Sequence, residues 1–190
     1  MDKIQYKSYS LILLVLLFVV GCIILLFWVY DVCWPDHFTI SHGQKIVGFW
    51  GYHLITVIFS SLFIGVALHE FTHGLTMSYF LGWKWDSIEF GFSFSSLYAF
   101  CHCKCPLLRN QYLICVLMPT LVLGLLPIVF GIGIGSLYLF LFGVFQFFSG
   151  FMDLYIALTL LNVPVTACVI DHPKKVGYQL VFKGSDISIH

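Results

Sequence analysis

Two histidines and a glutamate lie within five consecutive residues of this chain, His69-Glu70-Phe71-Thr72-His73. On a helix, side chains four residues apart project from the same face, so both imidazoles can bind one zinc ion. Glu70 lies between them, where its carboxylate can take a proton from a water molecule activated by the metal. The spacing therefore predicts zinc-dependent hydrolysis. The alternative is a pair of helix-end histidines beside a glutamate at a membrane interface.

The motif lies in a very apolar sequence. Of the 190 residues, 60% are hydrophobic and 9% are charged, whereas soluble domains average about 25% charged residues. The formal net charge of +0 gives no reason to expect nucleic acid as a partner. This composition predicts one integral membrane domain over residues 1–190, in contact with the lipid bilayer. Carboxylates and imidazoles at membrane depth are costly without partners, which favours a functional role for the motif.

The apolar runs predict the fold class: mainly α, a polytopic membrane protein with about four transmembrane helices. The predicted spans are 11–30, 46–81, 112–134 and 137–161. Pro119 and Pro127 are expected to kink the third span. A polar cytoplasmic tail over 163–190, with no fold of its own, is expected to follow the fourth.

Lysine and arginine residues are distributed unevenly around these spans. Eight of the nine fall on one side of the predicted arrangement, and only Lys45 falls on the other. The eight are Lys3, Lys7, Lys84, Lys104, Arg109, Lys174, Lys175 and Lys183. By the positive-inside rule, this predicts a multi-pass protein of the cell (inner) membrane with both termini in the cytoplasm.

The segment between the second and third spans has a different pattern. Phe90, Phe92 and Phe94 alternate with glycine and serine, and a second extended run covers 97–103. A period of two predicts a β-hairpin at the membrane face. The alternative, equally weighted, is an interfacial loop anchored by its aromatic side chains. The three phenylalanines are candidate substrate-binding residues, because an exposed strand edge can bind an extended peptide.

A catalytic zinc usually has three protein ligands, so the two histidines need a third. Asp153 is the only acidic residue within the third and fourth predicted spans. It lies about sixteen residues into its span, a depth that matches His69 to within roughly two helical turns. Asp153 is therefore the expected third ligand, with Asp171 and His172 in reserve. The alternative pairs Asp153 with a lysine or with the end of a helix dipole.

Three of the seven cysteines are clustered in Cys101-His102-Cys103-Lys104-Cys105. Such soft ligands can bind zinc or copper(I). However, structural zinc normally draws on two separated pairs of ligands, and no second pair is present. The interpretations are a redox-sensitive cluster, a purely structural one or, against this spacing, a metal site.

The H-E-x-x-H helix, the candidate hairpin, Pro119 and the 149–153 segment together resemble the site-2 protease class of intramembrane zinc peptidases. More closely, the chain resembles a family of small bacterial membrane proteins named as zincin peptidases. The resemblance covers roughly residues 46 to 180 and includes Cys101-His102-Cys103 and Asp171-His172-Pro173. The Asn/Asp-Pro signature that supplies the third ligand in site-2 proteases is absent.

The function expected from these residues is a membrane-embedded, zinc-dependent endopeptidase. It would hydrolyse peptides or membrane proteins near the cytoplasmic face. Two alternatives remain: a catalytically silent, zinc-binding membrane scaffold and a metal transporter. A transporter predicts polar residues in several spans, whereas the first span has none and the third has almost none.

Overall fold

A computed structural model describes residues 9–35, 54–93, 98–172 and 177–181. Its long helices are α1 (Tyr9–Cys33), α2 (Leu54–Phe80) and α3 (Arg109–Ile134). Two shorter helices follow, α4 (Leu137–Ser149) and α5 (Phe151–Leu160). The strands are β1 (Ile88–Ser93), β2 (Tyr98–Cys103), β3 (Leu107–Leu108), β4 (Cys168–Asp171) and β5 (Tyr178–Val181). The described part of the chain is thus mainly helical, with two small antiparallel sheets.

By length and composition, α1, α2 and α3 could each cross a membrane, and the α4–α5 pair could form a fourth span. The first and third predicted spans agree with α1 and α3 to within a few residues. The predicted start of the second span at residue 46 lies outside the described residues. The fourth was predicted as one continuous helix, which is wrong: α4 and α5 meet at Gly150 with a bend of 47°.

Both α2 and α3 contain a π-helical turn, at Ser61–Gly65 and Thr120–Leu125 respectively. The second turn directly follows Pro119, which has no N–H to donate to the preceding turn. The expected irregularity of the third span therefore takes the form of a π-helical turn after Pro119. Pro127 occupies the first turn of the α-helical segment that follows, where a proline is tolerated.

Close approaches between helices occur where glycines remove side chains. A Cβ at Gly143 of α4 would lie 2.7 Å from the carbonyl oxygen of Gly124 in α3. At the turn between these helices, Gly135 has a φ of +68°, and Trp34 donates a hydrogen bond of 2.8 Å to the carbonyl of Ile132. Tyr30 stacks on Phe140 with ring centroids 4.4 Å apart, which fixes α1 against α4.

The antiparallel strand pairing of the predicted hairpin is confirmed, and its position at a membrane face stays a prediction. Strands β1 and β2 pair antiparallel, with Ile88 opposite Cys103 and Ser93 opposite Tyr98. The hairpin packs on α2 at Gly74, where a Cβ would lie 2.3 Å from the ring of Phe90. The absence of a side chain at Gly74 thus lets β1 lie directly against the helix that carries the H-E-x-x-H motif.

The expectation of a tail without a fold is wrong for part of 163–190. Strand β4 pairs antiparallel with both β3 and β5 in a three-stranded sheet. Val169 is fully buried and belongs to the same core cluster as Val19 of α1 and Leu160 of α5. Because β3 leads directly into α3, this sheet fixes the position of that helix relative to the hairpin. The tail residues 173–176 and 182–190 lie outside the described residues.

Candidate metal centre

Helix α2 brings both histidines of the motif to its buried face. His69 and His73 are each 8% exposed, and their ring centroids are 5.0 Å apart. The two residues are separated by one helical turn, so their side chains follow each other along the same face. Ser61, Gly65 and Met77 continue this buried face in both directions.

Asp153 reaches the two histidines from the first turn of α5. Its Oδ2 lies 2.9 Å from Nε2 of His69, and its Oδ1 lies 3.7 Å from Nε2 of His73. Within the described residues, His69, His73 and Asp153 are the only group of three or more potential ligands suited to hold a metal ion, with their ligand atoms within 4.8 Å of one another. The structure thus brings together the three residues predicted from the sequence. Their role as metal ligands remains a proposal.

The donor set fits zinc. Two imidazole nitrogens and one carboxylate leave a fourth tetrahedral position open, which is typical of catalytic zinc sites. Nδ1 of His73 lies 2.9 Å from the carbonyl oxygen of Cys115. A carbonyl can only accept, so Nδ1 donates, and Nε2 faces Asp153. Such a contact behind a histidine ligand is the usual way of fixing its tautomer. Nδ1 of His69 is buried and has no hydrogen-bond partner among the described residues.

Glu70 is half-buried and lies next to this group, not within it. A backbone hydrogen bond connects its carboxylate with Cys101 of strand β2. The other glutamate has a different environment: Glu89 pairs with Lys104 at 3.0 Å, and both side chains are 53% exposed. Hydrogen bonding to Lys104 lowers the pKa of Glu89. Of the two glutamates, only Glu70 can serve the site.

Two of the candidate substrate-binding phenylalanines lie on the hairpin face that contacts α2. Phe90 is 46% exposed and Phe92 is 48% exposed. Phe90 stacks with Phe71 of the motif at a centroid distance of 6.5 Å, and Phe71 in turn stacks with Trp85 at 6.2 Å. Phe94 lies outside the described residues. A half-exposed aromatic surface therefore adjoins Phe71 of the motif.

The reserve ligands do not join the histidines. Asp171 accepts hydrogen bonds from the hydroxyl of Tyr112 and, at 2.7 Å, from the backbone N–H of Cys103. The backbone N–H of His172 donates to the carbonyl of Gly177 at 3.0 Å. Burial raises the pKa of Asp171, and the two hydrogen bonds act in the opposite direction.

The cysteine cluster forms no metal group of the kind that the histidines form, within the described part of the chain. Burial raises the pKa of Cys103 to about 11 and raises that of Cys101 further. Both thiols are therefore protonated at neutral pH, whereas the thiolate is the form that binds metals and reacts. The Cys103 thiol instead donates to the carbonyl of Cys105 at 3.2 Å.

Two histidines four residues apart on one helix, with a glutamate directly after the first, are typical of zinc peptidases of the H-E-x-x-H type. The family model described as "Putative zincin peptidase" matches residues 62–168, more than half of the chain. The protein belongs to this family. No curated protein and no solved structure matches the chain. The matched region contains His69, Glu70, His73 and Asp153 and ends before Asp171.

Sequence reasoning missed the residues that surround these four. The partner of His73 is the main-chain carbonyl of Cys115, and that of Glu70 is the main chain of Cys101. Main-chain partners leave no signal in a sequence, since every residue carries the same groups. Tyr112 and Asp171 do carry a signal: each is a polar residue that ends up buried and therefore needs a partner.

The metal centre predicts how zinc content responds to substitution. Purified wild-type protein is expected to contain about one zinc per chain, and His73→Ala and Asp153→Ala should each lose most of it, since each removes one of three ligands. Elemental analysis of detergent-purified protein measures this directly. The matched control is His172→Ala, which removes an imidazole outside the group and should keep full zinc content. Full occupancy in Asp153→Ala would exclude Asp153 as a ligand.

Proposed function

We propose that the protein is a membrane-embedded, zinc-dependent endopeptidase that hydrolyses peptide bonds near the cytoplasmic face of the cell membrane. The observation that carries this proposal is the convergence of His69, His73 and Asp153 beside Glu70, within helices apolar enough to span a bilayer. Membership of the zincin peptidase family supports the same chemistry.

In this proposal, His69, His73 and Asp153 hold the zinc ion. When bound there, zinc supplies Lewis acidity, which polarises a peptide carbonyl and acidifies a water molecule. Glu70 takes the proton as the water attacks the carbonyl carbon, and then delivers it to the leaving amine. The same carboxylate thus acts as general base and then as general acid. Its contact with Cys101 holds it beside the metal group during both transfers.

The depth of the site follows from the position of His69 in α2. Fifteen residues separate it from Leu54, a rise of about 22 Å at 1.5 Å per residue. Eleven residues, or about 16 Å, separate it from Phe80. The lysine and arginine distribution orients the Phe80 end towards the cytoplasm. The site would then lie within the bilayer, nearer to its inner face.

The substrates proposed are peptide segments of membrane proteins or peptides that reach the membrane. Carbonyls of an intact helix are hydrogen-bonded internally, so a substrate must present an extended segment. The hairpin beside Glu70 can receive such a segment by strand addition. Phe90 and Phe92 are proposed to contact its apolar side chains, and Phe94 is proposed as an extension of the same surface.

The other candidate functions are a silent zinc-binding scaffold and a metal transporter. Both use the same three ligands, but neither needs a proton acceptor at position 70. Substitution of Glu70 therefore separates them from a peptidase.

Glu70→Gln keeps the size of the side chain and removes its basicity. The variant is expected to retain about one zinc per chain and to lose proteolysis by about 10²–10⁴-fold, because both proton transfers depend on the carboxylate. Cleavage of a reconstituted membrane substrate, measured alongside zinc content, tests this. His69→Ala should lose zinc and activity together. Undiminished function in Glu70→Gln, with loss in His69→Ala, would favour the scaffold.

Phe92→Ala tests the proposed substrate surface. Truncating a half-exposed phenylalanine that a substrate would cover should cost on the order of 1 kcal/mol of binding and raise KM about three- to tenfold. The value of kcat and the zinc content should stay close to wild type. Phe63→Ala is a suitable control, because Phe63 is 71% exposed and lies in the π-helical turn of α2, away from the hairpin. Equal KM values in both variants would remove Phe92 from the substrate site.

The proposed orientation places residue 190 and the N-terminus in the cytoplasm. Reporter fusions at both ends, one active only in the cytoplasm and one only outside it, should show cytoplasmic location for both. A fusion at Lys45 should report the opposite side. An external C-terminus would overturn the orientation and the assignment of the site to the inner half of the bilayer.

A further inference from the structure

The pairing of the hairpin decides where the backbone groups of β2 point. The N–H of Lys104 donates to the carbonyl of Ser87 at 2.9 Å, and the register continues with Glu89 opposite His102. In an antiparallel pair, hydrogen-bonded and non-hydrogen-bonded residues alternate. The backbone groups of Cys101 and Cys103 therefore point away from β1, towards the outer edge of β2.

At each of these two positions the backbone is hydrogen-bonded to a carboxylate. The N–H of Cys103 donates to Oδ2 of Asp171 at 2.7 Å. Two residues along the same edge, a backbone hydrogen bond connects Cys101 with Glu70. The edge of one short strand thus contacts the proposed proton acceptor at one position and a second buried acid at the next.

Asp171 is fixed on its other side. Its Oδ1 accepts a hydrogen bond from the hydroxyl of Tyr112, which is 3% exposed in α3. The Asp171 side chain is itself 12% exposed, and Nδ1 of His102 lies 4.0 Å from its Oδ2. Asp171 ends strand β4, whose partner β3 runs directly into α3. The carboxylate therefore joins the three-stranded sheet, the third helix and the hairpin at one point.

We propose that Asp171 is a positioning residue of the zinc site. By accepting from Cys103 it fixes the outer edge of β2, and the next outward group on that edge, at Cys101, holds the carboxylate of Glu70. Tyr112 serves the same purpose by holding Asp171. This inference rests on the proposed function for its catalytic meaning, but the mechanical link from Asp171 through β2 to Glu70 is independent of it. The residue lies beyond the region matched by the family model.

The link is testable without a substrate, by hydrogen exchange of single amides in the detergent-solubilised full chain. In wild type, the amides of Cys101 and Cys103 should both be protected. Asp171→Ala should speed exchange at both positions by at least about tenfold, because the outer edge of β2 loses the carboxylate that accepts from Cys103. Asp171→Asn should retain most protection, since its amide oxygen can still accept from Cys103. Fast exchange at Cys103 with unchanged exchange at Cys101 would overturn the proposal.

A kinetic experiment tests whether Asp171 affects catalysis through Glu70. Asp171→Ala should keep about one zinc per chain and lower kcat by about 10–100-fold, the usual effect of removing a group behind the site. KM should change little, and Asp171→Asn should restore most of kcat. Tyr112→Phe should produce a smaller loss of kcat. If Asp171→Ala fails to fold, Tyr112→Phe carries the test, and wild-type exchange and kcat in that variant would overturn the proposal.

Val169→Ala is the matched control. Val169 lies on the same strand and is 0% exposed, so its truncation destabilises the sheet without touching the carboxylate. Exchange at Cys101 through local opening of the strand edge, and kcat, should stay within about twofold of wild type, because a core truncation lowers the global stability and leaves that local opening unchanged. If Val169→Ala reproduces the effects of Asp171→Ala, the role of Asp171 is structural only. If wild type cleaves no substrate, the proposed function fails while the exchange result still decides the link.

Discussion

The structure depends on giving the buried ionisable side chains partners inside an apolar bundle. An unpartnered amide or hydroxyl in such surroundings costs several kcal/mol, and an unpaired charge costs more. Asp153 and the two histidines satisfy one another across α2 and α5. His73 has a second partner in the carbonyl of Cys115, which brings α3 into the same group. The three helices are therefore held in one arrangement by polar contacts that aliphatic side chains cannot replace.

The helical irregularities lie where these contacts have to be made. The π-helical turn of α2 contains Ser61. Its carbonyl oxygen accepts a hydrogen bond of 3.4 Å from Nε2 of the buried Gln146 in α4. The π-helical turn of α3 begins at Thr120. The hydroxyl of Thr120 would lie 2.2 Å from a Cβ at Gly150. Gly150 is the break between α4 and α5, three residues before Asp153. The break makes Asp153 part of a first helical turn, where free N–H groups favour a carboxylate.

Part of the metal site and part of the fold could be predicted from local periodicity in the sequence. Spacing of four predicted the histidine pair, and spacing of two predicted the hairpin around Phe90 and Phe92. Asp153 could be singled out because an isolated acid in an apolar run must have a partner. The break at Gly150 could not be predicted, because the apolar sequence from Leu137 to Leu161 indicates one continuous helix. Strands β4 and β5 were also missed, because four-residue strands at the end of a chain are too short for a reliable alternation.

The contacts between β2 and the two acids provide partners for two kinds of polar group. The outer edge of a strand presents N–H groups that need acceptors, and in apolar surroundings they cannot rely on water. Glu70 and Asp171 are carboxylates in low-polarity surroundings that need donors. Matching the edge to the acids satisfies both sides, and the hydroxyl of Tyr112 is a second donor to Asp171. A main-chain donor on a paired strand also has less freedom than a lysine or serine would have. The orientation of Glu70 is therefore determined by the strand as much as by the helix that carries it.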